Sequence, residues 1–216
     1  MSEDFWNLSW KAIGRERIAE YARSISPAPD DIIRLLQQHN ANLVCDAGCG
    51  CGIYAAKLLR SGFTVAGFDI SADAVEIAQE SAPMAAFKIA SVCSTGYPSG
   101  SFDGIVCRDV LDHIGRQDAR LAVQELCRIL KPDGILIVTL DAPDDEYYRE
   151  THTVNADGDF VYTARKWRGM VFHPYSRAEI TQIIPPSLHW EIFEANDGLL
   201  LVVHNCGTHE AESAEA

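Results

Sequence analysis

The sequence contains no run of apolar residues long enough to cross a bilayer, and its start, MSEDFWNLSW, is acidic where a secretory signal is basic and then apolar. We therefore expect a cytoplasmic protein without a membrane partner. Positive charge is scarce too, because 18 Lys and Arg stand against 31 Asp and Glu, a formal net charge of −13. This balance disfavours nucleic acid as a partner and favours a small or cationic one, while the oligomeric state stays open.

Cysteine pairs of the kind that bind zinc are absent. The seven cysteines are odd in number and irregularly spaced, and Cys45, Cys107 and Cys206 lie in apolar runs where cysteine behaves as a small buried hydrophobe. Cys49 and Cys51 fall in a tight glycine turn rather than in a two-residue-spaced thiolate pair. The consecutive acids Asp144–Asp145–Glu146 are typical of solvated surface. We expect no disulfide framework and no metal.

The chain has no internal repeat, and its 216 residues, 47% of them hydrophobic, are enough for one domain. From residue 43 to about 140, short apolar runs alternate with segments of helical spacing, which predicts βαβ units and a parallel sheet. The predicted helices are Ile53–Arg60, Ala72–Glu80 and Gln117–Leu130. The predicted strands are Leu43–Asp46, Thr64–Asp69, Ala86–Ala90, Gly104–Arg108 and Ile135–Leu140, the last entered by a turn at Asp133–Gly134.

This alternation of apolar runs and helical segments ends after Leu140. Residues 141–175 are polar and aromatic without sustained periodicity, which is typical of a lid or a binding element. A short helix capped by Ser176 follows, and then two strands, His189–Glu194 and Leu199–His204, which predict a closing hairpin with at least one antiparallel strand.

Both ends of the chain differ from this middle part. Residues 1–40 predict two amphipathic helices, Trp10–Ser24 and Asp30–Gln38, that cover the site. Residues 207–216 predict a short, acidic, disordered tail.

The stretch VCDAGCGCG predicts a ligand-binding loop. A strand ends at Asp46, and Gly48, Gly50 and Gly52 then lead into a helix, so that a ligand can lie against bare backbone. Asp69 ends the next strand 17 residues after Gly52, where an acid suits the ribose hydroxyls of an adenine cofactor.

The loop differs from a dinucleotide site in two ways. Its glycines are spaced Gly-x-Gly-x-Gly rather than Gly-x-Gly-x-x-Gly, and Asp46 would repel a pyrophosphate while suiting an amino group or a sulfonium. These features favour S-adenosylmethionine over NAD(P).

Over residues 43–141 the sequence resembles the class I S-adenosylmethionine-dependent methyltransferases of the small-molecule branch. The resemblance rests on VCDAGCGCG, VAGFDIS, SFDGIVCRDVLDHI and RILKPDGILIVTL. It implies a doubly wound, Rossmann-like α/β fold: a mostly parallel seven-stranded sheet with an antiparallel strand in the C-terminal hairpin and helices on both faces. Residues 41–206 would form the domain, with 141–175 as its insertion.

The resemblance also implies roles for single residues. The loop from Asp46 to Gly52 would hold the methionine end, Asp69 the ribose and Ile70 the adenine. Ser91 stands where the family usually has Asp, so that Ser91 and Val92 are the expected adenine contacts. The residues that would meet the methionine moiety are Arg108 and Val110, for which a solvated helix start is the competing interpretation.

Acceptor-side candidates are His113, His173 and Tyr175. The imidazole of His113 would take a proton from the acceptor, or would simply pack over the cofactor. His173 and Tyr175, with Trp167 and Arg168, would line a pocket wall or pack the insertion onto the body. Both interpretations remain open.

Aromatic residues near the start of the chain have two possible roles as well. Trp10, with Trp6 and Tyr21, would lie over a sulfonium, whose charge aromatic faces attract, or would fasten a helix to the core.

The sequence therefore predicts an enzyme that moves a methyl group from S-adenosylmethionine to an oxygen, nitrogen or sulfur atom of a small molecule by in-line displacement. The alternatives are an NAD(P)-dependent oxidoreductase and a noncatalytic S-adenosylmethionine-binding module. A metalloid acceptor held by the cysteines stays open.

Overall fold

The structure, a computed structural model, describes residues 2–24, 28, 30–141, 145–186, 188–195 and 198–204. The helices are α1 (Ser2–Ile13), α2 (Arg15–Ser24), α3 (Asp31–Gln38), α4 (Ile53–Arg60), α5 (Ala72–Ser81), α6 (Arg116–Ile129), α7 (Asp145–Arg149) and α8 (Arg177–Ile183). The strands are β1 (Leu43–Ala47), β2 (Thr64–Asp69), β3 (Ala86–Ile89), β4 (Phe102–Arg108), β5 (Leu130–Asp141), β6 (His152–Val154), β7 (Phe160–Tyr162), β8 (Val171–Phe172), β9 (His189–Ala195) and β10 (Gly198–His204).

Seven strands form the main sheet in the order β3-β2-β1-β4-β5-β10-β9. β10 runs in the opposite direction to the other six strands of this sheet, so its pairings with β5 and β9 are antiparallel and the remaining pairings are parallel. The predicted mostly parallel seven-stranded sheet with an antiparallel hairpin strand is confirmed. The order reverses between β1 and β4, the place where α/β sheets leave a crevice at the carboxyl ends of the strands.

Alternating side chains along the strands give the sheet two apolar faces. Val44 packs with residues of α3 and α4, whereas its neighbour Cys45 packs with residues of α6 and α8; both are fully buried. Successive strand residues point to opposite faces, so continuous apolar strands need helices on both sides. The predicted helices on both faces are therefore present.

Local capping explains where several helices begin. The side chain of Asp30 accepts a hydrogen bond from the Ile33 N–H at 3.0 Å, and that of Ser71 accepts one from Ala74 at 3.1 Å. Ser176 and Glu179 form a reciprocal capping box at α8. Such caps satisfy N–H groups that the first turn leaves without partners.

Three predicted segments need correction. The single helix Trp10–Ser24 is two helices, because Gly14 with φ +77° ends α1, and α1 already begins at Ser2. Residues 141–175 are more regular than predicted, since they contain α7 and a three-stranded antiparallel sheet, β6-β7-β8. Strand β5 starts at Leu130 and runs through Asp133 rather than after it, with a register shift against β4.

Two further predictions concern the C-terminal residues and the membrane. The tail 207–216 and Cys206 lie outside the described residues. None of the described helices has the length and apolar character that a membrane span requires.

Candidate active site

A cavity of about 710 Å³ lies at the carboxyl ends of β1, β2 and β4. Helices α1 and α2, the glycine loop after β1, the segment after β3 and the segment after β4 all contribute to its lining. The lining residues are Trp6, Trp10, Ile13, Arg17, Ile18, Asp46, Gly48, Cys49, Gly50, Cys51, Ile53, Tyr54, Phe68, Asp69, Ile70, Ala90, Ser91, Val92, Cys93, Arg108, Asp109, Val110, His113, Ile114 and Asp118.

The glycine loop is held by the neighbouring strand and covered by α1. The N–H groups of Gly48 and Cys49 both donate to the Phe68 carbonyl at 2.9 Å. Gly48 and Gly50 have positive φ, and a Cβ on Gly50 would lie 2.7 Å from the Trp10 ring. The loop therefore needs glycine at Gly50 both for its conformation and for the close approach of Trp10.

Gly52 has a different role from the two glycines before it. It is not among the described residues that line the cavity, and a Cβ there would lie 2.8 Å from the backbone of Ala78. The missing side chain thus lets the start of α4 pack against α5. Gly52 shapes the loop without facing the cavity.

Asp46 contributes a buried carboxylate to the cavity lining, and the backbone N–H of Ala55 donates a hydrogen bond to it. The residue is 2% exposed, and its Oδ2 has no hydrogen-bond partner among the described residues. Burial raises the pKa of Asp46 to about 7; the charge of Arg108 opposes this rise, and that of Asp69 adds to it. A buried acceptor without a donor is costly, so a cationic ligand group fits this position.

Asp69 connects the end of β2 to the glycine loop. Its Oδ2 accepts the Gly50 N–H and its Oδ1 accepts the Ser71 N–H, each at 2.9 Å. Burial raises its pKa, and these backbone hydrogen bonds oppose the rise. Each carboxylate oxygen retains a lone pair for a hydroxyl. Ile70 follows it in the lining.

Ser91 and Val92 line the side of the cavity that follows β3. The Ser91 Oγ accepts the Cys93 N–H at 3.2 Å, and Val92 is buried. The Cys93 thiol donates to the backbone carbonyl of Asp118, and Asp118 lies in the first turn of α6. Asp118 is a lining residue that the sequence reasoning missed, since nothing in a solvated helix start marks such a contact.

The segment after β4 forms the opposite wall. The Arg108 guanidinium lies 4.4 Å from the centre of the Tyr54 ring. Asp109 has φ +54°, a left-handed conformation that is uncommon outside glycine, and it accepts the Thr139 hydroxyl at 2.6 Å. Val110 packs against Gly48. The structure therefore places Arg108 and Val110 in the cavity rather than on a solvated helix.

His113 lies between the cavity and two covering elements. Its ring contacts Trp6 of α1 at 5.1 Å between centroids, and Phe172 of β8 at 5.6 Å. The residue is 7% exposed, and its Nδ1 has no hydrogen-bond partner among the described residues. His113 is thus packed between these elements, and one of its ring nitrogens has no hydrogen-bond partner among the described residues.

His173 and Tyr175 do not belong to the described lining of the cavity. His173 Nδ1 pairs with Asp159 Oδ1 at 2.9 Å, and its backbone N–H donates to the Asp112 carbonyl at 2.7 Å. The Tyr175 ring packs on His173 at 4.3 Å, and burial raises the pKa of its hydroxyl. The geometry corresponds to packing of the insertion onto the body, so the expectation of catalytic groups at these two positions gains no support.

Two of the three N-terminal aromatic residues lie in the lining of the cavity. Trp6 and Trp10 both line the cavity, with ring centroids 6.4 Å apart. The side chain of Tyr21 lies outside the described residues. Arg17 of α2 is a further lining residue that the sequence reasoning missed, because a lone arginine on an exposed helix gives no signal.

The cysteines in the lining are thiols rather than thiolates. Burial raises the pKa of Cys51 to about 11 and raises that of Cys49 further. A thiolate is the form that binds metal or metalloid. The structure therefore favours Cys49 and Cys51 as small loop residues.

The family model described as "Methyltransferase domain" matches residues 45–138. A glycine/sarcosine N-methyltransferase of Aphanothece halophytica is 32% identical over 68% of this chain and 58% of that protein. A ubiquinone biosynthesis O-methyltransferase of Paracidovorax citrulli is 35% identical over 42% of the chain and 40% of that protein. The chain thus spans less than two thirds of either relative.

Solved structures show the same fold. A methyltransferase from Methanosarcina mazei has a TM-score of 0.67 at 20% identity, covering 82% of this chain and 98% of that one. The magnesium protoporphyrin IX methyltransferase from Synechocystis PCC 6803, with bound S-adenosylhomocysteine, has a TM-score of 0.62 at 19% identity, covering 94% and 97%.

The residues at the cavity fit the cofactor of this family. Asp46 Oδ2 is a buried acceptor without a partner among the described residues, which suits a cationic group, and the backbone of Gly48 and Gly50 forms part of the cavity lining. Four acids and two arginines among the lining residues give the cavity an acidic balance that suits a sulfonium. Residues 45–138 are therefore a methyltransferase domain, and they place this part of the chain among the class I S-adenosylmethionine-dependent methyltransferases.

Proposed function

We propose that this protein transfers the methyl group of S-adenosylmethionine to an oxygen, nitrogen or sulfur atom of a small-molecule acceptor. The observation that carries this proposal is the shared cavity, whose lining includes both Asp46, with Oδ2 free of any hydrogen bond from the described residues, and the imidazole of His113. The relatives named above act on nitrogen in one case and on oxygen in the other, as their names state, which supports both acceptor classes.

The cofactor-binding role is assigned to the residues around the glycine loop. Asp46 would accept the amino group, with Gly48 and Gly50 against the methionine moiety. Asp69 would accept the ribose hydroxyls, with Ile70, Ser91 and Val92 around the adenine. The remaining contacts would come from Arg108, Val110 and Trp10. Gly52 would not contact the cofactor, and its missing side chain lets the start of α4 pack against α5.

The chemistry needs little beyond alignment and exclusion of water. When bound, the cofactor supplies a methyl group that its sulfonium already activates. His113 would take the proton that the acceptor loses, since it is the described imidazole in the cavity lining. His173 would act as a positioning residue for the segment around Asp112, to which its backbone N–H donates, and Tyr175 would pack on the His173 ring.

The N-terminal helices, within residues 1–40, and the insertion 141–175 would cover the acceptor side of the domain at 41–206. Trp6 of α1 and Phe172 of the insertion both contact His113, which supports this arrangement. The six cysteines that the structure describes are free thiols, which supports a cytoplasmic location. The net charge of −13 argues against nucleic acid as acceptor.

Two measurements test the proposal. Isothermal titration should show one S-adenosylhomocysteine bound per chain, and no binding would remove the proposal. Release of S-adenosylhomocysteine in a screen of phenols, amines and thiols should then identify the acceptor class. Binding without any turnover would favour the noncatalytic module. Binding of NADH, followed by its fluorescence, would favour the oxidoreductase.

A further inference from the structure

A second cluster of chemistry-bearing side chains lies directly behind the acceptor side of the cavity. Asp112 and His113 belong to the short turn after β4, and Asp141 ends β5. One donor atom from each of the three residues lies within 4.8 Å of the donor atoms of the other two. The cluster joins neighbouring strand ends, and it involves none of the residues assigned above to cofactor binding.

Two donors of this cluster have no hydrogen-bond partner in the part of the chain that the structure describes. Asp112 is 1% exposed and His113 is 7% exposed. Asp112 Oδ1 and His113 Nδ1 are both inaccessible to solvent and make no hydrogen bond with any described residue. Leaving even one such group unsatisfied typically costs about 1–3 kcal/mol, so two side by side indicate a missing partner.

The other contacts of the cluster hold its side chains in place. Asp112 Oδ2 accepts the backbone N–H of Asp141 at 2.8 Å, and the Tyr147 hydroxyl donates to Asp141 Oδ2 at 3.1 Å. The Asp112 carbonyl accepts the His173 N–H. Hydrogen bonds of this kind orient ligands around a metal ion without competing for all of their lone pairs.

The charges also favour a cation. Asp112 and Asp141 bring two carboxylates together, and Asp109 adds a third negative charge from the same turn. We infer that Asp112, His113 and Asp141 form a binding site for a divalent metal ion. A donor set of two carboxylate oxygens and one imidazole nitrogen suits Mn²⁺ or Zn²⁺.

The geometry allows the ion with small movements. Donor atoms that bind one ion at about 2.1 Å lie about 3–4 Å from each other, so separations of up to 4.8 Å need shifts of less than about 1 Å. Such an ion would use His113 as a ligand, and the same imidazole cannot then serve as a free base through that nitrogen. The metal site therefore competes with the proposed role of His113 as base, whereas the proposed cofactor-binding residues include neither Asp112, His113 nor Asp141.

The test is metal binding by the full chain after treatment with EDTA. Titration with Mn²⁺, followed by the loss of the free-ion electron paramagnetic resonance signal, should show one site per chain. Zn²⁺, measured by isothermal titration, should compete for it. Asp112→Asn, Asp141→Asn and His113→Gln should each weaken binding at least tenfold, and Asp133→Asn, at an exposed position of β5, should leave it unchanged.

Binding of S-adenosylhomocysteine is measured on the same samples. It distinguishes loss of the metal site from loss of the cofactor site, and it shows that each variant is folded. If Asp112→Asn fails this check, the other two variants decide. The inference is overturned if the wild-type protein binds neither ion at millimolar concentration, or if folded variants bind Mn²⁺ as tightly as the wild type.

Discussion

The backbone N–H of Gly50 donates a hydrogen bond to the carboxylate of Asp69 at 2.9 Å, across 19 residues of sequence. The acid at the end of β2 therefore shapes the glycine loop after β1 as well as facing the cavity. The same carboxylate accepts the Ser71 N–H at the start of α5. One side chain thus fixes the relative positions of the loop, the strand end and the next helix.

Asp69→Ala should weaken binding of S-adenosylhomocysteine by about 1–3 kcal/mol, because the ribose loses an acceptor and the loop loses its anchor. Isothermal titration measures this change. Glu20→Ala, an exposed acid on α2, serves as the control and should bind as the wild type does. Unchanged affinity in Asp69→Ala would contradict the assignment of the ribose site.

Gly50→Ala should reduce the affinity for S-adenosylhomocysteine about tenfold or more, a loss of at least about 1.4 kcal/mol. The added Cβ would lie 2.7 Å from the Trp10 ring, so the residue must adopt φ +49° with a side chain and also displace α1. Gly62→Ala is the matched control, since Gly62 has φ +95° with no atom within 4 Å of its Cβ position. That variant should lose stability to backbone strain and keep its affinity; equal loss of affinity in both variants would contradict a specific role for the Trp10 contact.

The sequence best predicts those parts of the site that come from one continuous segment of the chain. The strand Leu43–Ala47, the glycines and the helix from Ile53 follow one another directly, and Asp69 is recognised by its distance from Gly52. Periodicity and capping residues suffice for such segments.

Contacts between distant segments could not be predicted. Trp10 contacts Gly50 because α1 lies over the glycine loop. Asp112 contacts Asp141, 29 residues later, because β4 and β5 are neighbouring strands. The break at Gly14 was missed because an isolated glycine is also compatible with a continuous helix.

Replacing both Cys49 and Cys51 by Ala should leave the affinity for S-adenosylhomocysteine within about twofold of the wild type, which is well under 1 kcal/mol. Burial raises the pKa of both thiols, so neither is a thiolate at neutral pH. Isothermal titration at pH 7 measures the affinity. A large loss, with the fold intact by circular dichroism, would show that the thiols contact the ligand.

The affinity for S-adenosylmethionine should rise with pH between about 6 and 8. Burial raises the pKa of Asp46 to about 7, and the ionised carboxylate is the form that attracts a cationic group. Titrations at pH 6, 7 and 8 measure the effect. Asp46→Asn should bind more weakly and lose this dependence; a slope that persists in the variant would assign the titration to another group.

The same residue should make the ligand-free protein less stable as pH rises. The pKa of Asp46 is about 7 in the folded state against an ordinary value of 3.8, so the folded state holds a proton that the unfolded state has lost in between. Stability from this group is complete below pH 3.8 and is lost as pH rises towards 7. From pH 5 to 7, the wild type should therefore lose about 2 kcal/mol of unfolding free energy relative to Asp46→Asn. Urea unfolding at pH 5, 6 and 7 measures this difference, and parallel curves for the two proteins would show that Asp46 is ionised throughout.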